Sequence, residues 1–252
     1  MKVTSLSGLL ILWTVLASPS FGKDFKAIQM SEFRQRLIER VKLGTIDERI
    51  QAIQECGVSR PGICYYALID LLSDESPIIR ERAAISVGLL RNIDALPHIQ
   101  KALDTEKDEK VQVSLLRGLS FFRDENATKI AEKFLINPSD AIRFNVGKVL
   151  CAKPDDSFYP NIAEQIKVEK VPKIKVMLLR AALQIKKNND YIIELIRYFT
   201  DTDPLVRLYA ARAASDLKLK DALLPLHKAI LIEPDGEVLD EFFRAYNYSY
   251  MK

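Results

Sequence analysis

An apolar residue followed, in most copies, by a polar or basic one opens a helical run at Ile79-Arg80, Val111-Gln112, Ile142-Arg143, Ile174-Lys175, Val206-Arg207 and Val238-Leu239. Successive copies recur at a pitch of about 32 residues, a period typical of stacked repeats. A pitch held this steadily over six copies restricts the chain to stacked units, each burying one face against the next. The spacing predicts an all-α chain: an α-solenoid, or superhelix, of about six to seven stacked antiparallel helix pairs. Chains built this way usually bind partners rather than catalyse reactions.

Each unit reads as two short helices. In the second helix, apolar residues fall at relative positions 0, 4 and 8, as in Val206, Ala210 and Ala214, and so share one side of a 3.6-residue helix. The first helix carries its own i, i+4 pairs, Ile99 with Leu103, Ile130 with Phe134, Ile162 with Ile166, and Leu226 with Ile230. Between the two helices stand Asp74 to Pro77, Asp104 to Asp108, Asn137 to Asp140, Val171-Pro172 and Asp201 to Pro204, residues suited to capping and to a first helical turn. Helices of about a dozen residues are marginal alone, so stacking must supply their stability.

The segment 1–22 differs from the rest. Met1-Lys2 precedes the apolar stretch Leu9 to Leu16, and Ser18 to Gly22 follows with small residues at the positions a signal peptidase reads. The apolar run is far shorter than the roughly 20 residues that span a bilayer. These features predict a cleavable secretory signal over 1–22, cut after Gly22 or, alternatively, Ala17. A degenerate N-terminal repeat or cap follows over 23–62, then the repeat solenoid with its C-terminal cap over 63–252. The expected location is periplasmic or secreted, with no membrane insertion after cleavage.

Export permits disulfides. Cys56 and Cys64 bracket a turn-rich stretch where two helix ends could be bridged, whereas Cys151 sits where other copies carry Gly88, Ser120 and Ser215 and reads as a small buried residue. The formal net charge of +3 exerts no global pull on nucleic acid or anionic membrane. His98 and His227 lie about four repeats apart and cannot share a metal. Neither a Ser-His-Asp grouping, a Gly-rich phosphate loop, HExxH nor CxxC occurs, so no catalytic residue, metal or cofactor is expected.

The pattern of Ile79-Arg80-Glu81-Arg82-Ala83-Ala84 and Val206-Arg207-Leu208-Tyr209-Ala210-Ala211 resembles HEAT repeats, in particular the short HEAT-like type of phycobilisome lyases. Pro97, Pro160 and Pro225 add to it, recurring in first helices at intervals close to two repeat lengths each. The resemblance covers roughly 63–248, with a degenerate unit before it. It implies that Asp74 with Arg80, Asp140 with Arg143, and Asp203 with Arg207 form a structural ladder joining adjacent units. The sixth copy, with Leu239 and Phe242-Phe243, departs from the pattern as an end unit would, and its tail Tyr246 to Tyr250 is expected to pack back over the open end.

One constellation points to function. Relative position 6 of the second helix holds Ile85, Arg117, Lys148, Arg180, Arg212 and Arg244, so five successive copies are basic. At about 100° per residue that position lies roughly opposite the core stripe. Beside it, position 2 holds Val113, Phe144, Val176 and Leu208 in the middle four copies. A basic row flanked by an apolar strip on the concave side would suit a protein or peptide partner with carboxylates. The leading expectation is therefore an exported, non-catalytic scaffold with an acidic protein or peptide partner. The alternatives are a bilin lyase-like enzyme or chaperone, against which export argues, and a nucleic-acid-binding HEAT-like protein, against which the near-neutral charge argues.

Overall fold

The computed structural model describes residues 32–59, 62 and 64–250. The expected signal segment, 1–22, lies outside the described residues. The described residues form seven stacked helix pairs: α1 (32–43) with α2 (Ile46–Ser59), α3 (Cys64–Asp70) with α4 (Pro77–Leu90), α5 (Leu96–Thr105) with α6 (Glu109–Leu119), and α7 (Glu125–Glu132) with α8 (Asp140–Ala152). Three more follow: α9 (Tyr159–Val168) with α10 (Pro172–Ile185), α11 (Asn189–Arg197) with α12 (Pro204–Leu217), and α13 (Leu223–Ile230) with α14 (Gly236–Tyr250). The second helices pack on one another in sequence, α2 on α4 through to α12 on α14, and the first helices cover one side of that layer.

Local chemistry sets the boundaries. Pro77, Pro172 and Pro204 begin α4, α10 and α12, where proline's missing N–H is not needed. The carboxylate of Asp108 accepts hydrogen bonds from the N–H groups of Lys110 and Val111, Asn188 caps α11 in the same way, and Ser139 Oγ accepts from Ile142. The 0, 4, 8 stripe of the second helices is the core: Ile79, Ala83 and Val87, and the equivalent residues through Val238 and Phe242, are at most 2% exposed. Removing a side chain as large as Phe242 from water contributes about 2 to 3 kcal/mol, which is why these short helices persist in the stack.

The second helices approach closely where side chains are small. A β-carbon on Gly57 would fall 2.8 Å from Ser86 Oγ, and one on Gly147 would fall 2.9 Å from the Met177 β-carbon. Ser86 Oγ also donates to the Ile53 carbonyl at 3.0 Å, tying α4 to α2.

The ladder between units differs from the sequence expectation. Arg80 does not bond the carboxylate of Asp74; its Nε and Nη2 donate to Glu106, at 2.7 and 3.0 Å, and its Nη1 donates to the Asp74 and Glu75 carbonyls. Arg143 repeats this with Glu169 at 2.8 and 3.1 Å, and Arg207 with Glu233 at 2.7 and 2.7 Å. In all three pairs the glutamate follows 26 residues after the arginine, in the turn of the next unit. The aspartates have other work. Asp74 pairs with Arg49 of the preceding unit, Asp140 makes a second bond to Arg143 at 2.8 Å, and Asp203 caps α12 through the Leu205 N–H. Residues at the arginine position in the intervening copies bond differently: Gln112 donates to the Glu106 carbonyl and Lys175 pairs with Glu194. The fork of an arginine spans the turn in one unit and the carboxylate of the next, a reach that lysine's single ammonium lacks.

The C-terminal tail does not fold back. It continues α14, with Tyr246 half-buried 6.2 Å from the His227 ring and stacked on Tyr250, while Tyr248 and Tyr250 stay exposed. Val238, Phe242 and Ala245 bury one face of this last helix, while Phe243 stays exposed beside Tyr248 and Tyr250.

Candidate partner-binding face

Position 6 of the second helices lies outside the core. Arg117 and Arg244 are exposed, and Lys148, Arg180 and Arg212 are half-buried. They lie along one face. Lys148 feels the charge of Arg117, Lys148 and Arg180 line one groove, and Arg212 and Arg244 both reach Glu241 Oε2, at 3.3 and 3.2 Å.

Their charge is unevenly available. Arg180 pairs with Asp216 at 2.6 Å, Arg212 with Glu237 and Glu241 at 3.3 Å each, and Arg244 with Glu241. Among the described residues, Arg117 and Lys148 pair with no carboxylate. The expected row of five open cations is thus a pair of open cations followed by three that the chain neutralises itself. Counting basic residues at one position overlooked the acids on the next helix: Asp216, a turn beyond Arg212, and Glu241, a turn before Arg244.

The apolar strip is shorter than expected. Val113 and Phe144 are partly exposed, but Val176 is 0% and Leu208 5% exposed, so neither offers surface to a partner. The physical reason lies in α10's neighbours. Phe144 on α8 and Tyr209 on α12 meet edge to face with centroids 5.2 Å apart, closing the surface over the α10 turn that carries Val176. Lys148 Nζ sits 4.6 Å from the Phe144 centroid, and Lys173 Nζ 5.9 Å from it on the same ring. Burial lowers the Lys148 pKa, and the positive charge of Arg117 pushes it the same way. A negative charge beside Lys148 would offset both effects by attraction.

Cys56 and Cys64 are joined, with their α-carbons 5.8 Å apart, and the bond ties α2 to α3. Cys151 is buried, its Sγ 3.4 Å from the Met177 carbonyl, and burial pushes its thiol up to about 11. His98 and His227 are exposed on α5 and α13, far apart in the stack. Among the described residues no group of three His, Cys, Asp or Glu side chains is placed to hold a metal ion.

The HEAT-repeat family profile matches residues 35–120 and 65–151. No curated protein matches the chain. Among solved structures, the complex of CpcE and CpcF of phycocyanin lyase from Nostoc sp. PCC7120 is similar over 86% of this chain and 94% of that one, with 17% identity and a TM-score of 0.64. The archaeal HEAT-like repeats protein of Thermococcus onnurineus NA1 matches over 86% of this chain and 96% of its own, with 14% identity and a TM-score of 0.50. At such identities the likeness concerns the fold alone. The chain thus carries HEAT repeats over residues 35–151, and the same paired-helix stack continues to Tyr250 as a HEAT-like α-solenoid fold.

Proposed function

We propose that this chain is an exported, non-catalytic scaffold, periplasmic or secreted, that holds an acidic protein or peptide segment on the exposed face of its second helices. The observation that carries this reading is the pair Arg117 and Lys148, unmatched by any carboxylate among the described residues and set beside the partly exposed Val113 and Phe144. Placing a carboxylate between the two cations would form charge-assisted hydrogen bonds at a half-desolvated site, where they are stronger than in water. A concave face is supported by the contact between the Phe144 and Tyr209 rings, which stand two helices apart. Export is supported by the composition of the segment 1–22 and by the Cys56–Cys64 bond, which suits an oxidising compartment.

Fluorescence anisotropy with two labelled peptides, one alternating glutamate and leucine and the other lysine and leucine, tests the proposal. The acidic peptide should bind, and Arg117→Glu with Lys148→Glu should weaken it by about tenfold or more. Arg180→Gln with Arg212→Gln should matter less, since those two already have partners. Equal binding of both peptides, or acidic binding that survives the Arg117 and Lys148 reversal, would overturn the reading.

A further inference from the structure

At the C-terminal ends of α4, α6 and α8 lies a groove of about 630 Å³, lined by Arg91, Arg123, Lys148, Arg180 and Gln184 among others, with Asp216 the one acid in its lining. Arg180 already takes Asp216. Arg91, Arg123 and Lys148 pair with no carboxylate among the described residues, which leaves three uncompensated positive charges in one depression.

A further observation concerns the same groove. Arg91 directly follows α4 and Arg123 stands four residues after α6, one repeat further on; both have left-handed backbone, φ 54° and 51°, a conformation that Lys218 shares after α12, outside the groove. Glycine is the usual residue there, because a β-carbon makes this conformation cost roughly 1 kcal/mol or more. A basic side chain near a helix C-terminus answers the helix dipole, but lysine or arginine one residue earlier would do so without strain. The dipole does not explain Lys148, which sits a full turn inside α8.

We propose that this groove is a binding site for a phosphate group, held by Arg91, Arg123 and Lys148. A phosphate dianion offers enough charge and enough acceptor oxygens for two guanidinium forks and an ammonium, whereas a lone carboxylate would leave charge and donors unmatched. The site does not depend on peptide capture, although Lys148 borders both.

Isothermal titration with inorganic phosphate and, separately, glycerol phosphate tests it, beside the variant Arg91→Gly with Arg123→Gly. Glycine accepts the left-handed turn without strain, so the variant should melt at or above the wild-type temperature in phosphate-free buffer. Phosphate affinity should fall by about tenfold or more. Tighter binding of glycerol phosphate than of inorganic phosphate would identify an esterified ligand, and the reverse a free anion. Absence of saturable binding of either by the wild type up to about 10 mM, which corresponds to only a few kcal/mol, would overturn the proposal. Affinity unchanged in the glycine variant would do so too, leaving these arginines as dipole caps. Acidic-peptide binding that persists in the glycine variant keeps the two sites' outcomes separate.

Discussion

Gly88 and Gly118 face each other across α4 and α6 so closely that a β-carbon on Gly88 would lie 2.5 Å from the Gly118 α-carbon. A β-carbon on Gly118 would in turn fall 2.5 Å from the Ala84 carbonyl oxygen. Backbone meets backbone here, and no side-chain rotation can relieve the clash.

Gly118→Ala should therefore destabilise the protein, although alanine is the better helix former. Propensity favours alanine by about 1 kcal/mol, while forcing two packed helices apart costs about 1 to 3 kcal/mol and disturbs every contact along the seam. We expect a net loss of about 1 to 2 kcal/mol, seen as a lower melting temperature by circular dichroism. Gly236→Ala is the control. Its β-carbon would meet nothing within 4 Å, at the first position of α14, so stability should hold or rise slightly.

Cutting the ladder should cost more than cutting an ordinary surface pair. The side chains of Arg143 and Glu169 are 14% and 1% exposed, and Glu169 also accepts the N–H groups of Lys170 and Val171. Arg143→Ala would leave a buried carboxylate without its counter-charge, a loss on the order of 3 kcal/mol. Lys167→Ala, which removes an exposed partner of Glu164, should leave stability nearly unchanged. Urea denaturation of the two variants checks the contrast, and equal losses would sink it.

The ladder also sets an acid limit. The hydrogen bonds from Arg80 hold the Glu106 carboxyl below the ordinary value of 4.5 against the opposing effect of burial. Burial pushes Glu169 up, but Arg143 and the Val171 N–H outweigh it and bring the carboxyl below 4.5 as well. The unfolded chain therefore takes up protons first as pH falls. These groups contribute their full stability above about pH 5 and lose it progressively as the pH drops through the usual carboxylate range into the lowered folded-state values. Glu106→Gln with Glu169→Gln should lower stability at pH 7 and flatten the decline between about pH 5 and 3. A decline as steep as that of the wild type would assign the acid sensitivity to other groups.

The repeat was legible because burial is periodic: Val206, Ala210 and Ala214 share a face whatever their partners are, and the stack needs that face. The three ladder arginines were legible from the resemblance to HEAT repeats. Their glutamates were not, because Glu106, Glu169 and Glu233 lie 26 residues further on, and sequence offers nothing that distinguishes them from neighbouring acids until two units are stacked. The candidate face was half legible. Helical geometry placed Arg117 to Arg244 outside the core, but whether a cation stays open depends on nearby acids: Asp216 and Glu241 close Arg180 and Arg212 from the adjacent helix, and Glu241 closes Arg244 from within its own. Val176 was misjudged because position 2 faces solvent on an isolated helix, while in the stack Phe144 and Tyr209 reach across the intervening helix; the burial of Leu208 is not explained by that contact. The cations of the groove, Arg91 and Arg123, follow the helices, where periodicity no longer guides the reading.

Thiol counting tests the Cys56–Cys64 bond together with the burial of Cys151. The chain has three cysteines, two of them joined across α2 and α3 and the third enclosed at the end of α8. A thiol reagent attacks the thiolate, and Cys151 is both enclosed and pushed up to about 11, so the folded protein at pH 8 should react at no cysteine on the timescale of minutes. Unfolded in guanidinium without reductant it should show one thiol, and with reductant three. Joining residues eight apart removes unfolded-state freedom worth about 2 to 3 kcal/mol by loop entropy. Because the bond couples only the first units, Cys56→Ser with Cys64→Ser should raise hydrogen exchange chiefly in α1 to α3 and leave α10 to α14 protected. Three thiols in unreduced guanidinium, from protein secreted through an oxidising compartment, would show that the bridge does not form there.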